Sequence, residues 1–164
     1  MEKYSREDIQ RIYNEIKQTY FNDLTDRSRL VFKNFNYFGF ASPFSLNVLI
    51  NIHKINDCNL PEDAVKGLIA HEFSHQVSFI KRSYMGRLLY IWSYPFSKTK
   101  KRLVEKEADE ITIERGFARE IVLMRKYKFD CENEKQRKES KEVYLSVEEL
   151  ERLIEEKRIS GQPA

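Results

Sequence analysis

The length, composition and charge of the chain exclude several classes of protein. Its 164 residues suffice for one domain with a sizeable hydrophobic core, and 13% aromatic residues with only five glycines are not the composition of a disordered chain. A net charge of +3, from 29 basic and 26 acidic side chains, gives no reason to expect a nucleic-acid partner. No stretch reaches the roughly 20 apolar residues of a membrane span, and the charged start of the chain is unlike a signal peptide.

The two cysteines, Cys58 and Cys131, lie far apart in a sequence without an export signal. We therefore expect free thiols in a reducing compartment rather than a disulfide, and with them a cytoplasmic location. A redox pair is the alternative, although no spacing motif supports it.

The first third of the chain predicts one helix followed by strands. Ser5 to Phe21 has the pattern of an amphipathic helix that Ser5 caps. Arg29 to Phe40 is aromatic and β-branched enough for a strand or a hairpin that turns near residues 36–39. Leu46 to His53 predicts a buried strand directly before the next helix. We expect His53 itself to pack or to lie at the rim of a cleft.

The next helix carries the motif His71-Glu72-Phe73-Ser74-His75, which has the form H-E-x-x-H. Asn59 is expected to cap this helix, ahead of a proline and two acids in the first turn. Histidines four residues apart lie on one face of a helix and can bind one metal ion, although two surface histidines on a solvated helix would also explain the pattern. The surrounding run is apolar, and Glu72 falls almost within its apolar stripe, where an unpaired carboxylate is rare. These surroundings favour a metal site.

A catalytic zinc requires a third protein ligand and one open position. A helix predicted to end at Gly116 offers several acids, most of which a solvated charged face would explain. On a helical wheel Glu105 and Asp109 share one side with small residues, whereas Glu107 projects from the other. We therefore predict Glu105 as the third ligand and Asp109 as the acceptor of a hydrogen bond from a ligand histidine.

The segment between the two motif helices, Tyr84 to Phe96, is unusually aromatic. It fits a wall or lid of a substrate cleft about as well as it fits ordinary core. Contact with a membrane surface is a third interpretation, because lysines and arginines flank the segment.

The end of the chain predicts a tail beyond a domain that spans residues 1–130. In the tail, residues 131–164, Cys131 to Lys141 reads as a charge-rich linker. Ser146 to Ile159 reads as a last helix, and Ser146 and Glu149 form a capping box. The apolar side of this helix must bury against something, either the core of its own chain or a cleft, in the same chain or across a homodimer.

The two motifs together resemble the gluzincin metallopeptidases. H-E-x-x-H followed by the E-x-x-A-D sequence of Glu105 to Asp109 is most similar to the single-domain minigluzincins and to the catalytic core of the integral-membrane Ste24/HtpX-type peptidases. The resemblance covers roughly residues 46–117. The ImmA/IrrE-like peptidases are a third relative, but they usually have E-x-E-A-N, from which Asp109 departs.

The resemblance implies an α+β, zincin-like fold, in which a small, mainly antiparallel sheet packs on the active-site helix and on the glutamate-bearing helix, with a helical tail. It implies one zinc ion per chain on His71, His75 and Glu105, with Asp109 in support and Glu72 as general base. Gluzincins often place a Tyr, His or Arg near the oxyanion, and Tyr90, Tyr94 and Arg102 are the candidates here.

These expectations amount to a zinc-dependent metallopeptidase in which Glu72 assists the attack of a zinc-bound water. A peptide or unfolded protein would bind as an added strand beside Leu46 to His53. The minigluzincin resemblance also implies a zymogen-like latency that the tail could provide. The alternative is a non-catalytic, zinc-stabilised interaction module, but such sites usually have four protein ligands and only three are visible here.

Overall fold

The computed structural model describes residues 3–24, 28–83, 86–87 and 97–161. Within these ranges helices combine with a three-stranded sheet, which confirms the α+β class. No helix in them has the length and apolar character needed to cross a bilayer. The elements are α1 (Arg6–Tyr20), β1 (Leu30–Phe32), β2 (Gly39–Ala41), β3 (Val48–Ile50), α2 (Ile52–Asp57), α3 (Glu62–Lys81), α4 (Lys98–Glu114), α5 (Ala118–Cys131), α6 (Glu134–Val143) and α7 (Val147–Ile159).

The strand β3 lies at the centre of the sheet, between β1 and β2. β1 runs parallel to it, with Leu30 beside Val48, and β2 runs antiparallel to it, with Gly39 beside Ile50. The sheet is therefore mixed, and the prediction of a mainly antiparallel sheet is wrong for one of its two pairings. No hairpin forms across residues 29–40, because β1 and β2 each pair with β3. Val48 and Ile50 are fully buried, so the most buried strand takes the centre.

The segment Leu46 to His53, predicted as one strand, is divided between β3 and α2. Because β3 is central, the prediction that this segment offers an edge to a substrate is wrong. Among the described residues, the outer edges of the sheet belong to β1 and β2. Asn51 caps α2 by accepting a hydrogen bond from the Lys54 backbone, and His53 is exposed on α2.

The helix α3 begins without a side-chain cap. Its first flanking residue is Pro61, and the predicted cap, Asn59, instead adopts a left-handed backbone with φ 49°. That conformation ends α2, where the Asn59 N–H bonds the Asn56 carbonyl. The prediction of Asn59 as the cap is therefore wrong, although Glu62 and Asp63 do lie in the first turn, next to the positive end of the helix dipole.

The helices α3 and α5 approach each other unusually closely at Gly67. A methyl group added to this glycine would lie 2.3 Å from the Glu120 carbonyl oxygen. Further along α3, Phe73 packs against Tyr13 of α1 and against Phe21, with ring centroids 4.8 and 5.1 Å apart. α1 is capped as predicted, by a box between Ser5 and Asp8. With α4 on a further side, α3 is buried over most of its length.

The tail contains two helices, of which α7 was predicted and α6 was not. The prediction of a linker over Cys131 to Lys141 is wrong, because this segment holds the end of α5 and most of α6. Asn133 and Gln136 form a capping box at the start of α6. Charged side chains with good helix propensity suffice for such a helix once it is capped. α7 has the predicted box at Ser146, and its Leu150 and Leu153 join the main hydrophobic core.

Cys58 and Cys131 form a disulfide, with their α-carbons 5.7 Å apart. The expectation of free thiols is therefore wrong, and the thiol argument for a reducing compartment falls with it. The bond joins the end of α2 to the end of α5 across 73 positions of sequence. Only the tertiary packing of these two helix ends brings the cysteines together.

Candidate metal centre

Two buried histidines on α3 form one side of the candidate site. His71 and His75 lie one turn apart with ring centroids 4.7 Å apart, edge to face. Both are buried by the elements that surround α3. The predicted placement of the pair on one face of a buried helix is confirmed, and the solvated-helix interpretation is wrong.

Glu105 on α4 completes a set of three possible metal ligands. Its Oε2 lies 3.1 Å from His71 Nε2 and 3.4 Å from His75 Nε2. One ligand atom from each of the three residues falls within a group no wider than 4.8 Å. Two imidazoles and one carboxylate are a typical donor set for zinc. The described residues therefore fit a metal ion.

Small side chains allow α4 to come this close to α3. Ala108 is fully buried, and Ser74 and Thr112 share a hydrogen bond of 2.9 Å across the two helices. Glu107, on the other side of α4, is bound instead by Ser78 at 2.8 Å and by Arg82 at 2.6 Å. The prediction that Glu105 and Glu107 project from different sides of the helix is thus confirmed.

The electrostatics of the cluster favour a bound cation. Burial alone would raise the pKa of Glu105, but His75 and His71 beside it hold that pKa well below its usual range. Burial alone would lower the pKa of His71, because it disfavours the charged imidazolium. Asp109 and Glu105 outweigh this effect and raise the pKa of His71 to about 9. The carboxylates thus create a strongly negative environment, in which either protons or a metal ion neutralise the charge.

Asp109 lies beside Nδ1 of His71, and Arg125 lies behind Asp109. The carboxylate oxygen Oδ1 is 3.0 Å from His71 Nδ1, a hydrogen-bonding distance, but the alignment of a hydrogen bond is missing, so the contact is mainly electrostatic. One guanidinium nitrogen of Arg125 donates to both oxygens of Asp109 at 2.8 Å. Asp109 and Arg125 are both inaccessible to solvent. This ion pair holds Asp109 in place beside His71.

Glu72 faces the cleft next to the strand β2. Only 6% of the residue is exposed, and no hydrogen-bond partner for it lies among the described residues. Burial raises the pKa of this carboxyl, while His75 and His71 oppose the shift. Gly39 leaves the space that Glu72 occupies, since an added methyl group would come within 2.7 Å of its Oε1. A carboxylate in this setting is available to take up a proton from a water molecule.

The cluster opens into a cavity of about 710 Å³. Its lining includes Asn36 to Ala41, which contain β2, and residues of α6 together with Tyr144. Lys101 of α4 and Met124 and Lys128 of α5 also line it. The predicted linker therefore forms a wall of the cleft, whereas the predicted covering helix, α7, packs on the core.

Of the three candidate oxyanion donors, Arg102 alone lies among the described residues. Tyr90 and Tyr94 lie outside the described ranges. Arg102 is directed to the tail, where it donates to the Tyr144 carbonyl at 3.1 Å and to Glu149 at 2.6 Å. It supports the wall of the cleft rather than the metal ligands.

Sequence reasoning missed three residues near the site: Arg125, Lys128 and Tyr144. Arg125 and Lys128 follow Ile121 and Met124 at helical spacing, so both basic residues fall on an apolar, buried face of α5. The same argument that singled out Glu72 would have found them. Tyr144 carries no comparable sequence signal, because it follows a polar helix.

Comparison with known proteins adds no identification to this geometry. No family model, no curated protein and no solved structure matches the chain. The resemblance to the gluzincins thus depends on the two sequence motifs and on the buried cluster of His71, His75 and Glu105.

Proposed function

We propose that the protein is a zinc-dependent metallopeptidase. The observation that carries the proposal is the convergence of His71, His75 and Glu105 within 4.8 Å, directly beside a buried Glu72 that has no hydrogen-bond partner among the described residues. Three ligands without a fourth are characteristic of catalytic rather than structural zinc sites. The cavity next to the cluster provides room for a substrate.

His71 and His75 would hold the metal through Nε2, and Glu105 through Oε2. Zinc in such a site polarises a carbonyl group and lowers the pKa of water to about 7. Asp109 would orient His71, and Arg125 would hold Asp109 in place. We place one ion per chain here.

Glu72 acts as general base in this proposal. Its carboxylate takes a proton from the attacking water and returns that proton to the leaving amine. Its raised pKa suits proton transfer, because an acid and a base function best when the pKa lies nearer to the working pH. Gly39 matters for this step, since the carboxylate occupies the space where a side chain at 39 would lie.

The substrate is proposed to bind along the outer edge of β2. This edge strand borders the cavity, and Phe40 within it is 49% exposed. An extended peptide can add to such an edge through backbone hydrogen bonds. Tyr37, which is also exposed and borders the cavity, would then favour apolar substrate side chains.

We also propose that α6 restricts entry to this cleft. The helix contributes several residues to the lining, and most of its surface is exposed, so little packing holds it in place. A folded or bulky substrate would have to displace it. Latency would then come from α6 rather than from α7, whose leucines belong to the core.

The competing proposal is a non-catalytic module that zinc stabilises. It is disfavoured because the described residues supply no fourth ligand and because the cluster borders a cavity. The two proposals differ in the role of Glu72, which only catalysis requires.

The deciding experiment compares the parent protein with Glu72→Gln and with Glu107→Gln as matched control. Zinc is measured by elemental analysis, and hydrolysis of casein is followed with and without a chelator. We expect about one zinc per chain in all three proteins and hydrolysis in the parent and the control only. Undiminished, chelator-sensitive hydrolysis in Glu72→Gln would remove Glu72 from the mechanism, and zinc binding without any hydrolysis in the parent would favour the non-catalytic module.

A further inference from the structure

A lysine with no hydrogen-bond partner among the described residues lies in the lining of the metal cleft. The side chain of Lys128, on α5, is 13% exposed and borders the same cavity as His71 and Glu72. The nearest carboxylate is that of Glu132, whose Oε1 is 4.0 Å away. That oxygen already accepts a hydrogen bond of 2.7 Å from Ser140. Lys128 therefore has one carboxylate at the limit of ion-pair distance and no hydrogen bond to it.

A second buried cation lies beside the same aromatic ring. Arg125 is wholly inaccessible, and the centroid of the Tyr144 ring is 4.7 Å from the guanidinium carbon and 2.9 Å from Lys128 Nζ. The Asp109 carboxylate pairs with Arg125 at 2.8 Å, and no hydrogen bond joins it to Lys128. Burial, followed by repulsion from Arg125, lowers the pKa of Lys128 to about 7. An anion placed in the cleft would favour the charged lysine and relieve this cost.

Neighbouring side chains also enclose the head of Lys128. Ser140 of α6 and Glu132, just after α5, are both buried where they bond each other. Lys128 Nζ lies 4.0 Å from this Glu132 carboxylate, and the ring of Tyr144 lies against it. A compact group therefore fits beside the ammonium better than a chain that continues past it. The compact anion that every peptide carries is its C-terminal carboxylate.

We infer that Lys128 binds the C-terminal carboxylate of the peptide substrate, so that the enzyme removes residues from the C-terminal end of peptides. The inference builds on the proposed metallopeptidase function and specifies its substrate class. Its chemistry is a salt bridge between the ammonium group and a carboxylate, with Tyr144 packed against the lysine. An acidic side chain offers the same chemistry and must be distinguished from a terminus.

The test measures binding to the zinc-loaded Glu72→Gln protein, in which turnover is suppressed. Three probes are titrated by calorimetry: N-acetyl-Leu-Phe, its C-terminal amide, and N-acetyl-Leu-Asp amide. We expect the free acid to bind about tenfold to a hundredfold more tightly than its amide, which is the range for a hydrogen bond between charged groups. The aspartyl amide should bind like the other amide.

Variants of Lys128 assign the effect to this residue. In Lys128→Met the preference for the free acid should disappear while the affinity for the amide is kept, and in Lys128→Arg most of the preference should remain. Lys135→Met is the control, because Lys135 also borders the cavity but is exposed. Zinc content and thermal unfolding verify that each variant is folded.

Several outcomes would overturn the inference. Equal affinities for acid and amide in the Glu72→Gln protein would do so, as would a preference that survives Lys128→Met. Tight binding of the aspartyl amide would overturn the assignment to a chain terminus. Casein hydrolysis at internal bonds together with equal affinities would refute this inference but leave the proposed function intact. Zinc-loaded protein that cleaves nothing, yet binds the acid preferentially, would refute the function instead.

Discussion

The backbone of β2 at Gly39 lies directly against the carboxylate of Glu72. A methyl group added at Gly39 would be 2.7 Å from Oε1 and 3.0 Å from Cγ of that side chain. Real contacts of a Cβ atom are almost never shorter than 3.0 Å, so one of the two groups must shift. The side chain of Glu72 can rotate more easily than the paired strand can move. Residue 39 therefore controls where the proposed base points.

This relationship predicts the effect of Gly39→Ala. Zinc content should stay at the parent level, because no metal ligand is touched, while peptide hydrolysis should fall by roughly tenfold to a hundredfold through misplacement of the base. Gly86→Ala is the control, since an added methyl group there meets nothing nearer than 3.4 Å. Parent-level rates in Gly39→Ala would show that the position of Glu72 is not critical.

A second prediction concerns the ligands. Glu105→Gln should lose most of its zinc, and Glu107→Gln should keep it, because only Glu105 lies beside both histidines. Asp109→Asn should bind zinc about 10- to 100-fold more weakly, since the orientation of His71 is weakened. Elemental analysis and competition with a chromogenic chelator provide the measurements. Full zinc in Glu105→Gln with loss in Glu107→Gln would reverse the assignment.

A third prediction concerns the buried pair Arg125 and Asp109. Arg125→Met leaves the Asp109 charge buried without its partner and should lower the free energy of unfolding by about 3–5 kcal/mol. Removing both charges, in Arg125→Met with Asp109→Asn, should recover much of that loss in urea unfolding. Zinc affinity should not recover, because His71 then faces a neutral amide. A loss in the double variant equal to the sum of the losses in Arg125→Met and Asp109→Asn would mean that the pair contributes no coupling.

A fourth prediction tests α6 as a barrier. Asn133→Ala removes its cap, which should cost about 1 kcal/mol and loosen a helix that has little packing of its own. Casein should then be hydrolysed faster, whereas the rate on a short peptide should change little. Ser146→Ala is the matched control, since it removes the cap of α7, which the core holds in place. An unchanged ratio of the two rates would argue against a barrier.

A fifth prediction concerns the disulfide. Its removal in Cys58→Ser with Cys131→Ser frees a long loop, and loop-closure entropy then predicts a loss of about 4 kcal/mol in unfolding free energy. Zinc content should be unaffected at temperatures where the protein remains folded. Treatment with a thiol reductant should reproduce the shift in the parent but not in the double variant. Identical urea transitions with and without the bond would show that it does not constrain the unfolded chain.

The features that could be predicted from the sequence are those that depend on local periodicity. The four-residue spacing of His71 and His75, and the side of α4 that Glu105 and Asp109 share, follow from the pitch of a helix. The capping boxes of α1 and α7 are equally local.

The features that were missed depend on packing between distant segments. Whether β3 lies at the centre or the edge of a sheet is decided by its neighbours, not by its own residues. The pairing of Cys58 with Cys131 and the contact of Tyr144 with Lys128 arise in the same way. Asn59 was misassigned because an asparagine serves equally well as a helix cap and as a left-handed residue at a helix end.

The tight approach of α3 to α5 at Gly67 has a consequence for the substitutions that the chain tolerates. A side chain at position 67 would meet the backbone of Glu120, which cannot turn aside as a flexible side chain can. Any residue other than glycine would therefore have to shift α5. That helix also carries Arg125, which holds Asp109 beside His71. A change at position 67 would thus be transmitted to the candidate metal centre through the backbone of a neighbouring helix.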